Sequence, residues 1–245
     1  EKRFAVNPSN PSAAPRLLSD RSYQDRYTDP GSPIFTTTAS GHPVMMFTGD
    51  GRGVFLSALG ASEKGNYPFL DVMDVASGQS RRLWRTEDPY YETVLTVLDP
   101  HGSRILTRRE SVTDPPNVYV RTLQGNQARA VTSFPDPAPQ LAGIQRQMIT
   151  YTRADGVRLS ATLYLPPGYD ARRDGPLPML MWAYPTEFRD AGAAGQITDS
   201  PNRFSRPLGT SHLFLLLAGY AILDNPTMTI EGEGEAEPND PSEDQ

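Results

Sequence analysis

Serines and histidines are present in the chain, but none stands in a pattern that activates a nucleophile. A serine nucleophile commonly occupies the centre of G-x-S-x-G, on a sharp turn between a strand and a helix. The nearest candidates are Ser62 in GASEKG and Ser211 in GTSH, which lack the second glycine and that context. Of the three histidines, His42 and His101 lie in predicted turns, and His212 begins a predicted helix. The sequence therefore predicts no complete pair of nucleophile and general base in these 245 residues.

Metal, cofactor and phosphate chemistry also lack a sequence pattern. Cysteine is absent, which excludes thiolate metal sites and disulfides. No carboxylates are spaced with histidine as metal ligands are, so we expect neither a metal nor a cofactor. The acidic run GEGEAE, which begins at Gly232, would repel phosphate and is followed by no G-K-[ST] motif. It is interpreted as a solvated loop, with capture of a substrate amine as the alternative.

Charge and hydropathy limit the partners. The formal net charge is −6, and the basic pairs Arg81-Arg82 and Arg108-Arg109 are isolated, so we expect no nucleic acid partner. No run of eighteen apolar residues occurs, and we expect no membrane insertion. The oligomeric state and the compartment stay open.

The elements that would position a site lie between Pro178 and Pro226. Met179 to Trp182 is a continuous apolar run, which predicts a strand buried on both faces. Leu213 to Leu217 predicts a short buried helix that Gly219 ends, and Tyr220 to Leu223 predicts a second strand. Strand, helix and strand in this order are the βαβ unit of a parallel sheet.

Residues 1 to about 33 are polar and read mostly as loop, and the chain from Ile34 to Thr132 has short β-type runs between turns. The predicted strands are Ile34–Thr38, Val44–Phe47, Val54–Leu56, Phe69–Val75, Arg81–Trp84, Thr93–Leu98, Ile105–Arg108, Val118–Leu123 and Ala128–Thr132. A weak repeat has Gly78 and Gly125 at equivalent positions, and its step of about 47 residues is typical of a β-propeller blade. The repeat favours about two blades of a propeller, with a β-sandwich as the alternative.

A proline-rich boundary divides the chain. Residues 1–134 are interpreted as C-terminal propeller blades, 135–147 as a stiff extended linker, and 148–245 as the N-terminal part of an α/β domain. The second domain would open with a hairpin of Met148–Arg153 and Val157–Leu165, turning at Ala154-Asp155-Gly156. A hairpin before parallel strands gives a mixed sheet with an antiparallel edge.

Several long motifs carry a family resemblance. They are TRADGVRLSATLYLPPGYD, LPMLMWAYP, EFRDAGAAGQ, SPNRF and GYAILDNPTM, preceded by DPGSP, FLDVMDVASG, LTRRES, PPNVYVR and FPDPAPQL. Together they resemble the prolyl oligopeptidase family, and its glutamyl endopeptidase branch in particular, from about Tyr27 to Asp240. The resemblance implies the last blades of a β-propeller followed by the start of an α/β-hydrolase domain.

The family resemblance implies a serine peptidase that acts on peptide substrates. Its triad follows the order Ser, Asp, His, so His212 precedes any nucleophile and is not expected to be the base. We expect the triad beyond Gln245 and the 245-residue chain alone to be inactive. In related enzymes the residue that ends the third hydrolase strand is a tyrosine whose hydroxyl donates to the oxyanion, and the matching residue is Tyr184 in WAYP. The alternative for Tyr184 is simple packing at a strand end.

Cleavage after glutamate would need a cationic pocket, for which arginine is best suited. Arg189 and Arg203 are the candidates, and solvated surface arginines are the alternative reading of both. Two other functions stay open. One is an acylaminoacyl peptidase or esterase on the same scaffold, and the other is a non-catalytic interaction protein that contains a propeller.

Overall fold

The computed structural model describes residues 1–154, 156–189 and 191–231, and strands make up most of its regular structure. The chain divides into two compact units. Unit 1 comprises residues 1–61, 67–109 and 117–133. Unit 2 comprises residues 62–66, 110–116 and 134–245. Two short segments of unit 2 therefore interrupt the sequence of unit 1.

Unit 1 is built from twelve strands within the described residues. They are β1 (Lys2–Ala5), β2 (Arg16–Asp20), β3 (Ser32–Pro33), β4 (Phe35–Thr37), β5 (Pro43–Met45), β6 (Gly53–Ala58), β7 (Phe69–Asp74), β8 (Ser80–Arg85), β9 (Tyr91–Val97), β10 (Arg104–Glu110), β11 (Asn117–Thr122) and β12 (Gln127–Ala130). Each strand predicted between Ile34 and Thr132 overlaps one of these.

The repeat corresponds to two four-stranded antiparallel sheets, β3-β6-β7-β8 and β9-β10-β11-β12. Gly78 and Gly125 occupy the same place in the two sheets, between the third and fourth strands. Their φ angles are 75° and 76°, a conformation that glycine adopts without strain. The core of unit 1 joins both sheets and consists of Ile34, Phe55, Leu70, Val97 and Ile105.

The prediction that residues 1 to about 33 are mostly loop is wrong for β1 and β2, which form an antiparallel hairpin. Its apolar side chains Phe4 and Leu17 are half exposed, so no buried stripe marks the strands in the sequence. The backbone ladder and an ion pair of Lys2 with Asp20 at 3.2 Å hold the hairpin instead.

Unit 2 contains the other six strands and several short helices. The strands are β13 (Gln145–Thr152), β14 (Arg158–Leu165), β15 (Met179–Trp182), β16 (Pro185–Phe188), β17 (Ala221–Asp224) and β18 (Met228–Glu231). The helices are two α-helical turns, α1 (Ala171–Asp174) and α2 (Ala191–Ala194), and two 3₁₀ segments, Pro139–Leu141 and His212–Ala218. Within the described residues, no helix has the length and apolarity needed to cross a bilayer.

The larger sheet of unit 2 has the order β13-β14-β17-β15. The predicted hairpin is its antiparallel edge, and β15 runs parallel to β17, as the βαβ prediction requires. The prediction that β15 is buried on both faces is wrong. It is the outermost strand of the sheet, and Met179 and Met181 on one face are 54% and 55% exposed. Only the face that carries Leu180 packs on the core of unit 2.

The 3₁₀ helix His212–Ala218 covers the inner face of that sheet. Three residues per turn bring Leu213 and Leu216 onto one side, where they are buried with Ile222 and Tyr164. Gly219 ends the helix at φ 84°, as predicted. The predicted burial holds for this side alone, because Phe214, Leu215 and Leu217 on the other side are partly exposed.

The proline-rich stretch is not extended throughout. Pro139 begins a 3₁₀ turn, and Ala138 and Leu141 are buried in the core of unit 2. The following strand β13 begins at Gln145, three residues before the predicted start. Proline is tolerated in the first turn of a helix because its missing N–H is not needed there. The predicted linker thus contributes side chains to a core.

Candidate active site at the carboxyl end of β15 and β17

Tyr184 lies just beyond the carboxyl end of the parallel pair β15 and β17. Trp182 is the last residue of β15 and stands opposite Asp224, the last residue of β17, and the Asn225 N–H donates to the Trp182 carbonyl at 2.8 Å. The Tyr184 side chain is 83% exposed, and Pro185 directly after it begins β16. The segment is extended rather than helical, and its tyrosine is at the sheet edge where ligands of open α/β sheets collect.

A second parallel pair continues beyond this edge. The strand after Tyr184, β16, pairs in parallel with β18, so both chain segments leave the sheet side by side. Arg153 donates from Nη1 to the carbonyl and the hydroxyl of Thr229, at 2.9 Å each, and so ties β18 to the end of the hairpin. Tyr184 is therefore held between two ladders of backbone hydrogen bonds.

His212 lies close to the same edge of the sheet, and its side chain is mostly buried there. Its Nε2 donates to Oδ1 of Asp224 at 2.9 Å, and its ring stacks on Trp182 with centroids 5.0 Å apart and an interplanar angle of 18°. The side chains of His212 and Asp224 are 21% and 17% exposed. Burial raises the pKa of the Asp224 carboxyl, and the neighbouring His212 partly offsets that rise.

An arginine and a second aspartate complete this polar cluster. Arg146 forms an ion pair with Oδ2 of Asp199 and donates from Nη1 to the Ser200 carbonyl at 2.7 Å. Thr162, opposite Asp224 in the sheet, donates to Oδ2 of Asp199 at 3.1 Å. The Asp199 charge also raises the pKa of Asp224, after the larger effects of burial and His212. Sequence analysis missed Arg146, Asp199 and Asp224, because no local motif marks residues that only the sheet brings together.

The structure separates the two arginine candidates. Arg203 approaches Asp199 with Nη1 3.7 Å from Oδ1, and about half of its side chain is exposed. Arg189 follows directly on β16, and its side chain is exposed. A carboxylate of the chain already faces Arg203, so its charge is less available to a ligand.

The remaining candidates from the sequence have structural partners or lie elsewhere. The Ser62 hydroxyl donates to the Gly65 carbonyl at 2.7 Å, and the Ser211 hydroxyl accepts from the Leu213 N–H at 3.3 Å at the start of the 3₁₀ helix. His42 and His101 are exposed in turns of unit 1. The GEGEAE run from Gly232 lies outside the described residues, as does Asp155 of the predicted hairpin turn. In the part of the chain that the structure describes, no three acidic or histidine side chains could hold a metal ion together.

The chain is similar to two curated proteins along nearly its whole length. One is the "Probable glutamyl endopeptidase, chloroplastic" of Oryza sativa subsp. japonica, 42% identical over 251 residues that cover 98% of the chain and 27% of the relative. The other has the same name in Arabidopsis thaliana and is 41% identical over 252 residues, covering 98% of the chain and 26% of the relative. The chain thus spans about a quarter of the length of these relatives. No protein-family model matches it.

Solved structures resemble the chain more weakly. Dipeptidyl peptidase 4 of Porphyromonas gingivalis has 16% identity and a TM-score of 0.48, with 92% of the chain and 35% of that protein covered. Oligopeptidase B of Leishmania major has 15% identity and a TM-score of 0.47, with 88% of the chain and 27% of that protein covered. These values are too low to support an inference.

Proposed function

Because this chain belongs to the prolyl oligopeptidase family, on its glutamyl endopeptidase branch, we propose that the full-length protein is a serine peptidase that cleaves peptides after glutamate. Its Ser-Asp-His triad would lie outside these 245 residues, since the chain contains no G-x-S-x-G sequence. The chain alone would then bind or orient a substrate without cleaving it.

The proposal includes a fold for each unit. The two repeated antiparallel sheets of unit 1 are proposed to be blades of a β-propeller, with the β-sandwich as the alternative. The sheet β13-β14-β17-β15 is proposed to be the start of an α/β-hydrolase domain. Its antiparallel hairpin followed by a parallel pair is the arrangement of a mixed sheet that helices cover.

The catalytic proposal rests on one observation: Tyr184 is exposed at the carboxyl end of a parallel strand pair. Acyl transfer places negative charge on the former carbonyl oxygen of the substrate. A hydroxyl held at that position strengthens its hydrogen bond as the charge develops, which lowers the barrier without requiring tighter substrate binding. The strand ladders on both sides of Tyr184 fix its backbone, as preorganisation demands.

Specificity for glutamate would require a cation near the scissile bond, and we propose Arg189 and Arg203 as the candidates. Arg189 lies five residues after Tyr184 and is exposed, and the Arg203 side chain is about half exposed. A guanidinium matches a carboxylate through two parallel N–H donors, so replacement by lysine would weaken recognition even though the charge is kept.

We predict that Tyr184→Phe in the full-length protein lowers kcat about 100- to 1,000-fold while KM changes little, because one oxyanion donor is lost. Steady-state kinetics on a peptide with one internal glutamate measures both constants. Tyr220→Phe, which removes the hydroxyl of a half-exposed tyrosine of the same unit, is the matched control.

Labelling with a fluorophosphonate separates failure of the oxyanion role from failure of the peptidase. If the full-length protein is labelled but Tyr184→Phe keeps its kcat, Tyr184 is not the oxyanion donor. If the protein is neither labelled nor active on any substrate, the peptidase proposal fails and the non-catalytic interaction protein is favoured. Faster turnover of N-acyl amino acid or ester substrates than of the internal-glutamate peptide would favour an acylaminoacyl peptidase or esterase.

A further inference from the structure

One arginine of unit 1 packs against two tyrosine rings. The guanidinium carbon of Arg109 lies 4.4 Å from the ring centroid of Tyr90 and 3.8 Å from that of Tyr119. Both distances are within the range of cation–π attraction, and the Arg109 side chain is half-buried. The guanidinium therefore contacts both rings.

The strand register explains why these side chains meet. On the pair β10 and β11, Thr107 stands opposite Tyr119 and Arg109 opposite Asn117. Arg109 and Tyr119 thus lie on the same face of the sheet and are diagonal neighbours, within reach of long side chains. Tyr90 directly precedes β9, the strand next to β10, and supplies the second ring.

The N–H donors of Arg109 have no acceptor among the described residues. In residues 1–154, 156–189 and 191–231, its guanidinium donates to no acceptor and pairs with no carboxylate. Glu92, an acid on the same face, is occupied, because both of its carboxylate oxygens accept from Arg121, at 3.1 Å and 2.6 Å, and Oε1 also accepts from Thr107. The positive charge of Arg109 is thus not neutralised by Glu92.

We propose that Arg109, with Tyr90 and Tyr119, forms a binding site for a peptide carboxylate. The rings contact the guanidinium without using its N–H donors, and paired N–H donors match the two oxygens of a carboxylate. Holding the side chain in place beforehand reduces the entropy lost on binding. The site is formed by residues of unit 1 and requires no catalysis, so it does not rest on the proposed peptidase activity.

The carboxylate could come from a glutamate side chain or from a peptide C-terminus, and three peptides distinguish these sources. Acetyl-Ala-Glu-Ala-amide has only the side-chain carboxylate, acetyl-Ala-Gln-Ala with a free C-terminus has only the terminal one, and acetyl-Ala-Gln-Ala-amide has neither. Each is titrated into the ¹⁵N-labelled 245-residue chain. The Nε–Hε signal of Arg109, assigned by its loss in Arg109→Lys, reports binding.

We expect saturable shifts of the Arg109 signal with at least one charged peptide and none with the neutral peptide. Whichever charged peptide binds more tightly identifies the source. Followed through the backbone amides of β10 and β11, Arg109→Gln should weaken binding about tenfold or more, and Arg109→Lys should weaken it less, because a point charge lacks the paired donors. Tyr119→Phe should keep the affinity and Tyr119→Leu should lower it, since the ring rather than the hydroxyl holds the arginine.

Arg108→Gln is the matched control, because Arg108 is the preceding residue, exposed and on the opposite face of β10. It removes the same charge and should leave the affinity within about twofold. The proposal is overturned if Arg108→Gln and Arg109→Gln weaken binding equally, or if the neutral peptide shifts the Arg109 signal as strongly as the charged ones. Amide dispersion like that of the parent chain in each variant ensures that lost binding is not lost folding.

Discussion

Two aromatic residues at the end of β15 have opposite surroundings. Trp182 stacks on His212, which in turn donates to Asp224, whereas Tyr184 is 83% exposed. The first arrangement anchors the end of the strand, and the second leaves a hydroxyl at the surface beside it. The backbone at Tyr184 is thus fixed, and its side chain is open to solvent.

The raised pKa of Asp224 predicts a defined pH dependence of stability. Because burial raises its pKa in the folded chain, Asp224 contributes stability at a pH below the unfolded value of about 3.9, and this contribution is lost as the pH rises through the folded pKa. Asp224→Asn removes the titrating group. The free energy of unfolding of the variant minus that of the parent should therefore increase from pH 3 upwards until the folded pKa is passed.

Urea unfolding of both chains at several pH values from 3 to 7 measures this difference. Asp20→Asn is a suitable control, because Asp20 is an exposed surface partner of Lys2 in unit 1. A difference for Asp224→Asn that decreases with pH would mean that the hydrogen bond from His212 outweighs the burial of the carboxylate.

At the residue scale, the sequence predicts the position of a residue correctly where its neighbours in the chain carry the signal. Tyr184 could be placed from WAYP, because an apolar run followed by Tyr-Pro fixes the end of a strand. Asp224 could not be identified as the partner of His212, since they are twelve residues apart and meet only because a 3₁₀ helix covers the sheet. The predicted exclusion of His212 as the general base is untested.

At the scale of elements, the two faces of β15 differ in burial. Leu180 packs on the core of unit 2, whereas Met179 and Met181 are more than half exposed. The apolar run alone predicts burial on both faces because sequence gives no information about strand order. The turns of unit 1, by contrast, were predictable, because Gly78 and Gly125 mark them locally.

Substitutions on the two faces of the sheet should therefore differ in cost. We expect Met181→Lys to change the free energy of unfolding by no more than about 0.5 kcal/mol, as exposed substitutions do. Ile222→Ala on the adjacent strand should lower it by about 2–5 kcal/mol, because Ile222 is fully buried. Urea unfolding of the 245-residue chain measures both, and a large loss for Met181→Lys would show that its face is covered.

A buried ion pair crosses the second sheet of unit 1. Arg121 pairs with Glu92, both side chains are almost completely buried, and Thr107 donates to the same carboxylate. We expect Arg121→Met to lower the free energy of unfolding by about 3–5 kcal/mol, because Glu92 is left as an unpaired buried charge. The double variant Arg121→Met with Glu92→Leu should recover most of that loss, since neither charge remains.

A more exposed ion pair in the first sheet provides a comparison. Arg82 pairs with Asp71 but is 42% exposed, so Arg82→Met should cost less than Arg121→Met. Chemical denaturation of the three variants gives the order. Equal losses for the two arginines would contradict a role for burial.

For the whole molecule, the interleaving of the two units matters most. Segment 62–66 lies in the sequence of unit 1 but belongs to unit 2. Within unit 2, the buried Asn66 donates from its side chain to the Thr198 carbonyl and from its backbone N–H to the Asp199 carbonyl, at 2.8 Å each. Asp199 is the partner of Arg146, so this segment supports the polar cluster around Asp224.

We predict that Asn66→Ala lowers the free energy of unfolding by about 0.5–1.5 kcal/mol, because the buried Asn66 side chain no longer donates to the Thr198 carbonyl. Thermal or urea unfolding measures the loss, with Lys64→Ala, an exposed change in the same segment, as the control. Asn66→Asp, which keeps the size but not the donor, should be at least as destabilising. An unchanged stability in both Asn66 variants would remove segment 62–66 from the support of unit 2.

The position of Asn66 has a practical consequence for recombination. Consider a chimaera in which a relative supplies the residues before Phe134 and this chain supplies the rest. A foreign segment 62–66 would then meet the native loop at 198–199, and the partners in those two hydrogen bonds would no longer match. Chimaeras should fold best when residues 62–66 and 110–116 are inherited together with residues 134–245. Although each unit has its own core, these few loop residues mean that the two units should not be exchanged at a single crossover point.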